Sequence, residues 1–120
     1  MNVTLTEKQT RELIKKYYEE VEKIQVEVQF SKYQDYQFTD IIPVISKEIV
    51  LGGIKLTASE EVSMMKMTEI FNHYLPADYS FKKASFSIHK EYDRPGDYIE
   101  YVNTSVEFEP VDQKMRERRF

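Results

Sequence analysis

Apolar positions recur along this chain with two different spacings, and the change from one to the other divides it into elements. Leu13, Ile14, Tyr17, Tyr18, Val21 and Ile24 fall three to four residues apart, the repeat of one helix face. No Gly or Pro interrupts Thr6 to Ile24. Thr6 with Gln9, or Thr4 with Glu7, offers a capping pair at the start. Glu12–Lys16 and Glu19–Lys23 sit in the favourable order for exposed pairs four apart. The period then drops to two. Val26, Val28 and Phe30 alternate with Gln25, Glu27 and Gln29, as in a strand with one buried and one wet face.

Ser31 to Asp40 is a polar and aromatic connection that either extends this strand or forms a loop. Ile41, Ile42, Val44 and Ile45 predict a short second strand. Pro43 within it cannot donate to a ladder, which places the strand at an edge or at a bulge. Gly52-Gly53 between Ile49-Val50-Leu51 and Ile54-Lys55-Leu56 predicts a tight hairpin turn. Thr57 or Ser59 is then expected to cap a second helix, with Glu60 and Glu61 in its first turn. Val62, Met64, Met65, Met67, Ile70, Phe71, Tyr74 and Leu75 form its wide apolar arc, and Pro76 marks its end.

The last third alternates again. Ala84, Phe86 and Ile88 lead to a turn at Asp93–Asp97, where Pro95-Gly96 suits the centre of a type II turn. Tyr98, Ile99 and Tyr101, then Val102, Thr104, Val106 and Phe108, return the chain. The alternation slips between Tyr101 and Val102, so a bulge lies there or both faces are partly buried. Pro110 closes the strand, and the tail suits at most a short helical turn. The expectation is one α+β domain over residues 1–120, with an antiparallel β-sheet of about four to six strands and two helices packed on one face.

Composition narrows the function classes. The 120 residues suit one domain able to bury a core unaided. No cysteine is present, so neither a disulfide framework nor a thiolate metal site can form. The start lacks a signal-peptide pattern and no apolar run approaches a membrane span, which predicts a soluble, cytoplasmic protein. Net charge is −4, and Asp112–Phe120 carries +2 of local charge, leaving −6 on the other 111 residues. An acidic body with a mildly basic tail, 112–120, argues against nucleic acid as the partner.

Candidate chemistry is sparse. His73 near the end of the second helix suits the helix dipole. His89 and Glu91 fall on one side of a strand and can share a proton or a metal, but the sequence supplies no third ligand. Glu19-Glu20, Glu60-Glu61 and Glu107 with Glu109 resemble solvated faces more than a catalytic carboxylate pair. The Met64, Met65 and Met67 cluster suits packing of a helix on a sheet better than a binding surface. No catalytic residue, cofactor site or metal site is expected, and the chain is read as a non-enzyme.

Tyrosine carries the strongest signal: nine Tyr, seven Phe and no Trp. Tyr33, Asp35, Tyr36, Phe38 and Asp40 form one Tyr/Asp cluster. Tyr92, Asp93, Arg94, Asp97 and Tyr98 form another, beside Tyr101. Tyr is enriched at interfaces and the carboxylates complement a basic surface, so these ten residues are the expected partner-binding set. Cross-strand tyrosine packing is the alternative.

In its Met1–Tyr18 and Tyr33–Asp40 segments the chain resembles small phage-encoded inhibitors of bacterial defence systems, a group that includes anti-CRISPR proteins. Within that group it is most similar to the SPbeta-group inhibitors of a sirtuin-domain, NAD-depleting defence protein. The resemblance assigns no residue a role. It implies a stoichiometric blocker in the host cytoplasm that binds a large oligomeric bacterial defence protein and prevents its activation or its NAD hydrolysis; the free chain is expected to be a monomer. Two other classes stay open: a small enzyme or ligand-binding domain with a pocket lined by His89, Glu91, Tyr98 and Tyr101, and a self-assembling subunit joined at Ile41–Ile45.

Overall fold

A computed structural model describes residues 1–34 and 39–111, with the backbone alone at 33, 34, 39 and 93. The elements run β1 (Asn2–Leu5), α1 (Glu7–Tyr17), a π-helical turn (Tyr18–Glu22), β2 (Glu27–Gln34), β3 (Thr39–Leu51), β4 (Ile54–Glu61), α2 (Met64–Tyr74), β5 (Tyr79–Arg94) and β6 (Asp97–Pro110). The fold is α+β and antiparallel, as expected. Its six strands are divided between two three-stranded sheets, ordered β1-β6-β5 and β2-β3-β4. α1 packs against β2 and β6, α2 against β5, and the helices touch each other. One core results, with Ile14, Val28, Ile45, Met67, Ile70, Phe71 and Val106 drawn from both helices and both sheets.

The first helix begins as its sequence predicts. Gln9 N–H donates to Thr6 Oγ1 at 3.2 Å and Thr6 N–H donates to Gln9 Oε1 at 3.0 Å, a capping box. Its end departs from the uninterrupted stripe. After Tyr17 the helix widens into one π turn that Lys23 closes in the left-handed region (φ 60°), its neighbour Ile24 donating to the Tyr18 carbonyl. Adjacent residues on an α-helix point about 100° apart, yet Tyr17 and Tyr18 are both buried. The wider turn changes the phase after them, and Val21, expected in the stripe, is exposed.

Three strand expectations need correction. β1 gave no alternation signal, being four residues long; its identity comes from pairing with Thr104–Glu107 of β6. Ile41–Ile45 is no edge: it lies in β3, the central strand of its sheet. Pro43 is tolerated there because β4 pairs with β3 only as far as Glu61–Val44. Just beyond, Val62 N–H donates to the Pro43 carbonyl at 2.8 Å, and the return bond that proline cannot make is where the ladder stops. Thr57–Glu61, expected to open the second helix, is the end of β4. The Gly52-Gly53 hairpin carries this segment into register with β3, and ladder pairing overrides its helix-start pattern. α2 is capped instead by Ser63, whose Oγ accepts from Lys66 N–H at 3.1 Å. Glu60 and Glu61 are therefore exposed strand residues rather than first-turn charges.

The β5–β6 ladder is continuous through His89–Tyr101 and Ile88–Val102. Hence the slip in alternation is not a bulge; Val102 faces the core while Tyr101 packs beside His89 on the opposite face. Register shifts occur elsewhere, at Phe81/Lys83 and Tyr92/Arg94. The Pro95-Gly96 turn has Gly96 at φ 93°, the positive value the second central residue of a type II turn requires. The tail at 112–120 lies outside the described residues.

Candidate functional site

Two hairpins reach well beyond the core, in keeping with a radius of gyration of 17.8 Å against about 14 Å for a compact chain of this length. One is the outer half of β5–β6. Its core-side face continues the buried row Ala84, Val106 and Val102 outward through Lys90, Glu100, Tyr92 and Tyr98, because alternate residues share a face. Beyond the reach of α1 this row meets water. Tyr92 and Tyr98 are 69% and 50% exposed, their rings 5.7 Å apart as a directly opposed pair. Lys90 Nζ sits 4.9 Å from the centre of the Tyr98 ring.

Glu100, two residues from Tyr98 on the same face, accepts from Lys32 Nζ of β2. That ion pair crosses between the sheets and brings the ends of the β2–β3 and β5–β6 hairpins together. Phe30 against Phe86, ring centres 5.7 Å apart, closes the same seam nearer the core. The hydrogen bond from Lys32 holds the Glu100 carboxyl below the usual carboxylate range, despite partial desolvation.

The described members of the two sequence clusters thus lie on the two hairpins that this ion pair joins. In the first, Tyr33 pairs with Asp40 across the β2–β3 ladder, and Asp40 is exposed; Asp35, Tyr36 and Phe38 lie outside the described residues. In the second, Tyr92, Arg94, Asp97 and Tyr98 are all exposed at the β5–β6 turn, and Asp93 occupies the register shift. Sequence reasoning missed Lys32, Lys90, Glu100 and Ile99. Period-two alternation from Tyr98 reaches Glu100, but nothing local links Glu100 to Lys32. With three cations present, this end is more mixed in charge than a purely acidic surface. Ile99, 63% exposed on the opposite face, adds apolar area.

The other candidate residues have structural partners. Tyr101 Oη donates to Glu91 at 2.9 Å, and the His89 ring lies 5.0 Å from that of Tyr101. His73 packs edge-on to Tyr74 and Tyr17 at 4.8 and 5.6 Å. Glu20 accepts from Tyr74 Oη, while Glu107 and Glu109 pair with Lys83 and Lys82 across the β5–β6 ladder. Of the three grouped methionines Met67 is in the core, whereas Met64 and Met65 are exposed.

Among the described residues, the surface clefts include two of several hundred cubic ångströms. One of about 730 Å³ lies between α1 and β3, lined by Lys15, Ile24, Val26 and Ile49 among others. A second of about 540 Å³ lies between β3, the start of α2 and β5, with Ile42, Val62 and Phe86 in its wall. His89, Glu91, Tyr98 and Tyr101 line neither cleft. Among the described residues, no helix is long and apolar enough to cross a membrane. No known protein family, curated protein or solved structure matches the chain.

Proposed function

We propose that this chain is a non-enzymatic, protein-binding inhibitor that docks the joined ends of its β2–β3 and β5–β6 hairpins on a larger protein. The observation that carries this reading is the placement of exposed Tyr92 and Tyr98 beside Lys32 and Glu100, on an end built from two hairpins. Tyrosine contributes large, stiff, amphipathic contact area, and a few such anchors dominate most interfaces. Exposed carboxylates at Asp40 and Asp97, one on each hairpin, would steer a basic patch toward this end. The acidic balance of the chain disfavours nucleic acid as the partner.

The resemblance to phage anti-defence proteins supplies the partner class: a large bacterial defence protein, of the NAD-depleting kind, whose activation the bound inhibitor blocks in the host cytoplasm. Inhibition would be stoichiometric, without turnover and without a cofactor.

The test is capture of partners from a Gram-positive lysate containing its defence proteins, followed by titration of the purified pair. Tyr98→Ala and Tyr92→Ala are each expected to weaken binding by roughly tenfold or more. Asp40→Lys with Asp97→Lys is expected to slow association and reduce its salt dependence. A partner that binds all three variants as tightly as the parent chain would overturn the assignment of this surface.

A further inference from the structure

We propose that the outer edge of β4 is a self-pairing surface, through which two copies of this chain join about a two-fold axis. This goes beyond the inhibitor reading and does not depend on it. It also departs from the free monomer and from the Ile41–Ile45 edge that the sequence suggests.

The edges of the two sheets are not equally protected. An exposed edge strand is normally blunted by shortness, bulges, lysines or a covering element. β1 is four residues long. β5 has two register shifts and carries Lys82, Lys83 and Lys90. β2 has α1 against it. β4 carries Lys55 near its turn and Glu60 and Glu61 at its far end, but the stretch 56–59 between them is uncharged. The eight residues of β4 pair with β3 in unbroken register, and among the described residues β3 is the only element in extensive contact with it.

The direction of its free hydrogen-bonding groups follows from the hairpin. Gly52 and Gly53, at φ 56° and 83°, form a two-residue turn closed by Leu51 and Ile54. In such a turn the closing pair exchanges ladder bonds and every second pair does so after it. The Val62 N–H to Pro43 carbonyl bond has the same parity. Ile54, Leu56 and Ala58 therefore bond inward to β3, and Lys55, Thr57 and Ser59 direct N–H and C=O outward.

Charge and side-chain pattern favour a second copy as the occupant. Lys47 and Lys55 against Glu48, Glu60 and Glu61 leave segment 47–61, the hairpin through the end of β4, at −1 in a chain of −4. Two acidic molecules thus meet here at a nearly neutral segment, where like-charge repulsion is small. Its core-side face carries the cross-strand pairs Ile49–Leu56 and Leu51–Ile54, with Leu51 and Ile54 about as exposed as Tyr98 or more so. A two-fold axis perpendicular to the sheet keeps each side chain on its face, so it must pass through a residue. Centred on Leu56, it sets Leu56 against Leu56, Ile54 against Ala58 and Lys55 against Thr57 of the second copy. Centred on Thr57 or Ala58, it sets Ile54 or Leu56 against Glu60. The Leu56 register alone of these three joins the apolar faces of both hairpins within one six-stranded sheet.

Sedimentation velocity from about micromolar to about millimolar protein tests this. The parent chain is expected to pass from the mass of one 14.4 kDa chain toward twice that mass. Thr57→Pro removes an outward N–H from an edge strand, a change a folded hairpin tolerates, and should stay monomeric throughout with an unaltered circular dichroism spectrum. Leu56→Lys, at a half-exposed position, sets like charges at the axis and should do the same. A parent chain that remains monomeric to the highest concentration overturns the proposal. So does a folded Leu56→Lys or Thr57→Pro chain that dimerises as the parent does, since the contact would then lie elsewhere.

Discussion

Lys32 on β2 donates to the carboxylate of Glu100 on β6, a contact between residues 68 apart in the chain that spans the two sheets. Each sheet on its own would leave its hairpin end pointing independently into solvent. The ion pair, with Phe30 packed on Phe86 behind it, sets the two ends side by side and so defines the surface proposed to bind a partner.

This pair has a titration signature. Because Lys32 depresses the Glu100 pKa in the folded chain, its stabilisation is present above the usual carboxylate range and is lost as pH falls through the lowered value. In Lys32→Met, carboxylate titration followed by NMR should show Glu100 moving up toward the ordinary 4.5. An unchanged midpoint would mean the pair does not persist in solution.

The buried hydroxyls of Thr10 and Thr104 join α1 to β6. Thr10 Oγ1 donates to the Thr6 carbonyl at 3.0 Å, which leaves Thr104 to donate to Thr10 at 2.8 Å. Both residues are fully buried. Thr10→Val therefore strands the Thr104 hydroxyl and should cost about 1–3 kcal/mol in urea denaturation. Thr104→Val leaves Thr10 bonded to Thr6 and should cost less. The double variant should be more stable than the two losses added together predict.

Lys23 closes the π turn at φ 60°, where a side chain is strained and glycine is not. Lys23→Gly is expected to raise the unfolding free energy by about 1 kcal/mol, seen as a higher thermal midpoint. A lower midpoint would show that its aliphatic stem contributes more than the backbone strain removes.

Alkaline pH should unfold this protein from the helix junction. Burial, against the opposing pull of Lys66, pushes the Tyr18 phenol up from 10.0, and burial with a bond to Glu20 pushes Tyr74 up. Lys66 is itself raised, chiefly by its 2.6 Å bond to Glu22. Groups raised in the folded state stabilise fully below their unfolded values, and that contribution is lost as pH rises through the folded ones. Stability measured by circular dichroism should thus fall above about pH 10. Tyr18→Phe should move the alkaline midpoint upward, whereas Lys66→Met should lower neutral-pH stability by about 1 kcal/mol.

Much of this architecture is legible in one dimension because its causes are local. The Thr6–Gln9 capping box, the Gly52-Gly53 and Pro95-Gly96 turns and the alternation of β2, β5 and β6 depend on residues within a few positions of one another. The Tyr92–Tyr98 cluster is legible for the same reason: it flanks the Pro95-Gly96 turn. Tertiary structure decided what depends on distant partners. It made β1 a strand by pairing it with β6, drew Thr57–Glu61 into a ladder against its helix-start pattern, and placed Pro43 in a central strand where the β4 ladder ends. It also divided the strands into two sheets and joined their ends through Lys32 and Glu100. The hydrophobic period determines which side of an element is apolar; which other element covers that side is settled only when the whole core packs.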